Sequence, residues 1–131
     1  VNHQGFVSYN DLPKVFSEAD FLILPYDFSR KSIKYIQYSM PTKAPEYMAS
    51  GTPIIIFAPE VTAIVKYALK YDLAKVITEN KIGAISVAIK QLIENKDLRM
   101  HLARNAIKIA EKNHNSINVN DQFKKTILSI V

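Results

Sequence analysis

The 131-residue sequence has no cysteine and no tryptophan, and only 3 glycines. Without thiols, disulfide scaffolds, thiolate metal sites and cysteine nucleophiles are excluded together. The 3 histidines, His3, His101 and His114, show no metal-ligand spacing with one another, so no zinc site is expected. Long hydrophobic runs are also missing: the longest, about Ile54 to Ala58, has the length of a strand and not of a membrane span. No basic stretch leads into an apolar one at the N-terminus, and the expected location is cytoplasmic. Because the chain starts with Val1 inside a strand-like pattern, it reads as a portion of something longer. What is present, 48% apolar and 22% charged residues, is the composition of one ordinary folded domain over residues 1–131.

The formal charge of +5 is unevenly placed. Residues 1–60 carry 5 basic and 6 acidic groups, and residues 61–131 carry 12 and 6. In the second half Lys90, Lys96, Arg99, Arg104, Lys108 and Lys112 interleave with Glu94, Asp97 and Glu111, the pattern of solvated helix faces. A weak patch for an anionic membrane surface, giving peripheral contact, is the alternative. Nucleic acid is not an expected partner, since no aromatic platform accompanies the charge.

Short β-branched and aromatic runs alternate with helical periodicity, the signal of βα units and a parallel sheet. About four strands are expected: Val1 to Val7, Phe21 to Leu24 ended by Pro25, Thr52 to Phe57, and Ala74 to Ile77. Their continuous apolar character predicts burial on both faces. Asn10 or Asp11 can cap a short helix whose Leu12, Val15, Phe16 and Ala19 share a face. A second helix runs from about Lys43 to Ser50, with Pro45 tolerated in its first turn and Gly51 stopping it. Glu60 to Tyr71 places Val61, Ile64, Val65, Ala68 and Leu69 toward the core, and Ile85, Ala88, Ile89, Leu92 and Ile93 do the same in the next helix. Leu98, Leu102, Ala106, Ile109 and Ala110 continue the pattern, and Asn118 can cap a last helix through Phe123 and Ile127.

One connection breaks this regularity. Sixteen residues separate Pro25 from Thr42, more than a βα loop needs, and such loops are usually functional or disordered. Asp27, Ser29, Arg30, Lys31, Lys34, Tyr35, Tyr38, Ser39 and Met40 offer donors, charges and stacking faces there. The loop leaves the carboxyl end of a strand, where ligands bind in open α/β sheets. At its far end Thr42, Lys43 and nearby amides suit an anion such as phosphate, because unpaired N–H groups and the helix dipole converge. Glu46 sits in the first turn, where it can accept two hydrogen bonds from a vicinal diol such as a ribose, or simply complement the dipole.

The ordered segments Ala19-Asp20-Phe21-Leu22-Ile23-Leu24-Pro25 and Pro41-Thr42-Lys43-Ala44-Pro45-Glu46-Tyr47-Met48-Ala49-Ser50-Gly51-Thr52-Pro53-Ile54-Ile55 resemble the donor-binding half of family 4 retaining glycosyltransferases of GT-B architecture. Gly5-Phe6-Val7 ahead of them and Ala103-Arg104-Asn105-Ala106 after them resemble further parts of the same pattern. The resemblance implies a Rossmann-like partial GT-B C-terminal domain whose parent transfers a sugar from a nucleotide-diphosphate sugar to an acceptor hydroxyl, with retention and without a required metal or other cofactor. By position, Glu46 would hold the donor ribose, and Ser39, Met40 and Thr42 would offer backbone amides to the diphosphate and sugar. Lys43 would lie near the phosphates or in solvent, and Val7 to Tyr9 would hold the base. The family's first Glu would fall eight positions before Glu46, where Tyr38 stands.

That departure favours a rival, a non-catalytic nucleotide-sugar or protein-binding module. A receiver-like arrangement built on Asp27 would need an upstream acidic pair that is absent. The family's diphosphate-neutralising Arg and Lys, and its acceptor domain, have no counterpart in the 131 residues, so catalytic residues are not identified and the chain alone is expected to be inactive. With the strand order 3-2-1-4-5-6, Phe21 to Leu24 would expose an apolar edge. Either Val1 to Val7 slides against that edge or the chain dimerises through it.

Overall fold

The computed structural model describes residues 5–129. In chain order a 3-10 turn (Tyr9–Asp11) leads into α1 (Leu12–Glu18), β1 (Leu22–Pro25), α2 (Arg30–Ile36), α3 (Lys43–Ala49), β2 (Ile54–Phe57), α4 (Ala63–Tyr71), β3 (Lys75–Ile77), α5 (Ala84–Glu94), α6 (Lys96–Asn113) and α7 (Ser116–Leu128). The strands form one parallel sheet in the order β1-β2-β3, with Ile23 opposite Ile55 and Ile56 opposite Val76. Parallel strands joined through helices give the Rossmann-like α/β arrangement, with three strands among the described residues where about four were expected. The difference lies at Val1 to Val7. Its first four residues are outside the described range, and Gly5, Phe6 and Val7 are not strand. Phe6 is fully exposed, so no neighbouring strand covers its ring.

Burial follows from position in the sheet. β2 has a strand on each side and a helical layer on each face. Ile54 and Ile56 pack with Ala44 and Met48 of α3, with Ile64, Val65 and Ala68 of α4, and with Ala106 and Ile109 of α6. Ile55 packs on the opposite face with Leu92 of α5 and Leu102 of α6. Each such fully buried aliphatic side chain contributes roughly 1.5–3 kcal/mol. β1 pairs with β2 alone, and there the expectation of burial on both faces is corrected: Leu22 and Leu24 are buried, but Ile23 is 38% exposed. Residues in register share a face, so the helices that cover Ile55 do not extend over Ile23.

Helix starts differ from the sequence expectation where another capping arrangement wins. Asp11 stands at the N-cap of α1 as expected but makes no side-chain cap hydrogen bond; its carboxylate accepts from the Ser8 hydroxyl at 2.7 Å and the chain enters through the 3-10 turn. α4 begins at Ala63, three residues later than expected, so Val61 lies outside it and is exposed. Leu69 and Ile93 lie on the flanks of their helices and are exposed as well. Asn95 caps α6 by accepting from the Leu98 amide, and Asn115, not Asn118, caps α7 by accepting from the amides of Ile117 and Asn118.

Two joints hold the layers together. Gly51, at φ 78°, turns the chain out of α3 into β2, and a Cβ there would meet the Ile107 side chain at 3.4 Å. At the end of α6 the Asn113 side-chain amide donates to the Tyr67 hydroxyl at 2.9 Å, and that hydroxyl lies 3.0 Å from His114 Nε2. Burial holds the His114 imidazole below its ordinary value, which favours the neutral ring that can accept from Tyr67. Among the described residues no helix is long and apolar enough to cross a membrane.

Candidate functional site

Helix α1 presents Leu12 and Phe16 toward α3, but no α1 residue is buried. Their apolar face is the wall of a groove and not a piece of core. A cavity of about 370 Å³ opens there, lined by Tyr9, Leu12, Pro13 and Phe16 on one side and Glu46, Ala49 and Ser50 on the other. The wall is fixed by two contacts of distant sequence. Phe16 meets Tyr47 edge-on, with ring centroids 4.9 Å apart, and the buried Thr52 hydroxyl donates to the Phe16 carbonyl at 2.6 Å. The second contact anchors the end of α1 to the turn that feeds β2.

Within this groove one carboxylate faces apolar and aromatic surface. Glu46 is half-buried in the first turn of α3, where the dipole favours its charge. Burial, and then the neighbouring Glu46 carboxylate, push the Tyr47 phenol above its ordinary value of 10.0. Tyr9, 75% exposed on the 3-10 turn, offers a ring across the same cavity. Such a space can take a flat ring against Tyr9 or Phe16 and a hydroxyl-bearing ring against Glu46. The cavity lining of Leu12, Pro13, Phe16, Ala49 and Ser50 was not among the site residues expected from sequence. The i, i+4 pair Leu12 and Phe16 was visible but reads equally as a core stripe.

The remaining expected residues lie elsewhere. Val7 is half-buried outside the cavity. Tyr38, Ser39, Thr42 and Lys43 are exposed on the approach to α3, and Met40 turns its side chain onto the core instead of outward. The anion-binding geometry at the α3 start is thinner than the sequence suggested. The Ala44 amide donates to the Pro41 carbonyl at 3.0 Å, Pro45 has no N–H, and Thr42 makes no side-chain cap. The amides of Thr42 and Lys43 have no backbone acceptor among the described residues.

The connection before α3 is ordered by a helix that sequence periodicity did not show. Ser29 caps α2 by accepting from the Ser32 amide, while the Asp27 carboxylate accepts from the Ser29 amide, the Ser29 hydroxyl and the Ser32 hydroxyl. Those hydrogen bonds, from Ser29 first and then Ser32, hold the Asp27 carboxyl at about 2. Among the described residues no three His, Cys, Asp or Glu side chains gather as a metal site.

An α/β domain with a groove between two helices, carrying a carboxylate opposite aromatic rings, has the frame of a small-molecule-binding domain. The family described as glycosyl transferases group 1 matches residues 1–109, and the chain belongs to that family. The matched range takes in all three strands, the cavity and most of α6. Neither a curated protein nor a solved structure gave a match.

Proposed function

We propose that this chain is the donor-binding part of the C-terminal domain of a retaining GT-B glycosyltransferase of the family 4 kind. It holds a nucleotide-diphosphate sugar whose sugar passes to an acceptor hydroxyl on a glycan, lipid or small molecule. In the transfer the bond between the sugar's anomeric carbon and the β-phosphate oxygen breaks. The diphosphate leaves with the electron pair, and the acceptor oxygen forms the new bond as it gives up its proton. Glu46 accepts hydrogen bonds from the two ribose hydroxyls, and Tyr9 with the backbone from Val7 flanks the base. Tyr38, Ser39, Met40, Thr42 and Lys43 line the path toward the diphosphate and sugar. No metal is required in this reading, and the protein works in the cytoplasm.

The observation that carries the reading is that Tyr9 and Glu46, assigned to base and ribose from the sequence, line one cavity of nucleoside dimensions. Calorimetric titration of the full-length protein with uridine, adenosine and guanosine diphosphates tests it. Glu46→Ala is expected to weaken the binding nucleotide by about 1.5–3 kcal/mol, the range for hydrogen bonds to a charged group. An unchanged dissociation constant removes Glu46 from the site. Tyr38 at the place of a second carboxylate favours a second reading, a nucleotide-sugar module without turnover, in which nucleotide binding persists and no transfer or donor hydrolysis is measured.

A further inference from the structure

The segment 30–43 holds four cations, Arg30, Lys31, Lys34 and Lys43, and no acid, although residues 1–60 as a whole are slightly acidic. Three of the four stand on α2. At about 100° per residue, Arg30, Lys31, Lys34 and Tyr35, with Tyr38 one turn further, fall within about 140° of arc. That face is outward: all five residues are exposed, Tyr35 at 77% and Tyr38 at 85%. Ser32, Ile33 and Ile36 on the opposite face are half-buried.

The cations are left without counter-charge by the way the helix is held. Asp27, the adjacent acid, spends its carboxylate on the Ser29 amide and the Ser29 and Ser32 hydroxyls. No ion pair among the described residues includes Arg30, Lys31, Lys34 or Lys43. The far end is fixed too, since the Ala63 amide donates to the Gln37 carbonyl at 2.8 Å. The helix is thus held at both ends while its outward face carries exposed cations beside two open phenol rings, on the element that follows the carboxyl end of β1.

We propose that this face of α2 binds a saccharide that carries anionic groups, at a place separate from the donor cavity. Tyrosine rings take the C–H face of a sugar ring and hydrogen-bond its hydroxyls through the phenol. Arg30, Lys31 and Lys34 pair with carboxylate or phosphate substituents, Arg30 in bidentate geometry. A bilayer fits less well, because the outward face carries no Leu, Ile, Phe or Trp to enter the acyl boundary.

Titration of the full-length protein with trigalacturonate, with uncharged maltotriose and with vesicles containing phosphatidylglycerol tests the proposal. The expected result is preference for trigalacturonate. Arg30→Gln/Lys31→Gln/Lys34→Gln lowers its affinity at least tenfold, and Tyr35→Ala at least threefold with no change of charge. The controls Tyr35→Phe and, on α6, Lys108→Gln/Lys112→Gln retain most of it. All of these leave nucleoside diphosphate affinity unchanged. The proposal is overturned if trigalacturonate does not bind, if the α6 variant loses as much as the α2 variant, if the vesicles bind in preference, or if the Tyr35 variants lose the nucleotide. A Glu46→Ala protein with unchanged nucleotide affinity would remove the donor site and leave the saccharide face standing.

Discussion

The Thr52 hydroxyl donates to the Phe16 carbonyl at 2.6 Å across 36 positions of chain, and Thr52 is 4% exposed. This contact decides whether the groove between α1 and α3 keeps its shape, because α1 contributes no buried residue of its own. Thr52→Val keeps the side-chain volume and leaves the Phe16 carbonyl without its partner. A loss of about 1–3 kcal/mol in urea unfolding is expected, with Thr52→Ser recovering most of it. Equal stability of all three proteins would show that the contact contributes nothing.

Asp27 gives the chain an acid-sensitive element. Its carboxyl is held at about 2, below the ordinary 3.8, by the Ser29 and Ser32 hydrogen bonds. A carboxylate depressed in the folded state stabilises fully above its unfolded value, and that contribution is lost as pH falls through the folded one. The order of α2 should therefore decline between about pH 4 and pH 2. In Asp27→Asn that acid step should be absent, and the Ser32 amide should exchange faster already at neutral pH. Amide exchange followed against pH checks both, and identical profiles for the two proteins would contradict the account.

The cavity beside Glu46 is lined by Tyr9, Leu12, Pro13, Phe16, Glu46, Ala49 and Ser50, none of which is a cation. A departing diphosphate needs electrostatic stabilisation, usually the largest catalytic contribution. The 131-residue chain by itself should accordingly show no sugar transfer. Its nucleoside diphosphate affinity should be no better than a dissociation constant of about 200 µM, roughly -5 kcal/mol. Product formation from a radiolabelled donor by this chain alone would refute the expectation.

How far the sequence was legible depended on what decides each element. Ile54, Ile55 and Ile56 read as a doubly covered strand and are one, because a continuous β-branched run bounded by Pro53 has few other uses. Phe21 to Leu24 reads the same way, yet Ile23 is exposed; sheet position, which no local pattern encodes, makes the difference. α2 was hidden because only Ile33 and Ile36 mark its inner face, while Asp27, Ser29 and Ser32, which order it, also read as loop residues. The pairing of Tyr9 with Glu46 came from family resemblance, since nothing in either residue's neighbours tells that α1 and α3 lie side by side.

β1 supplies the last prediction. The amides of Leu22 and Tyr26 donate to carbonyls of Pro53 and Phe57, so alternate residues face β2, and the amide and carbonyl of Ile23 face the open edge. Pro25 has the same outward phase and no N–H to offer, which blunts the edge without closing it. Gly5 to Val7 do not pair there. With that rearrangement not seen at the described residues, self-association through β1 is the remaining outcome expected of an open apolar edge. The chain should form dimers at high concentration in sedimentation velocity, and Ile23→Lys should return it to monomer by placing a charge on the strand without touching the Leu22 and Leu24 side. A wild-type chain that stays monomeric at those concentrations would show that Pro25 and the short length of β1 suffice to keep the edge from pairing.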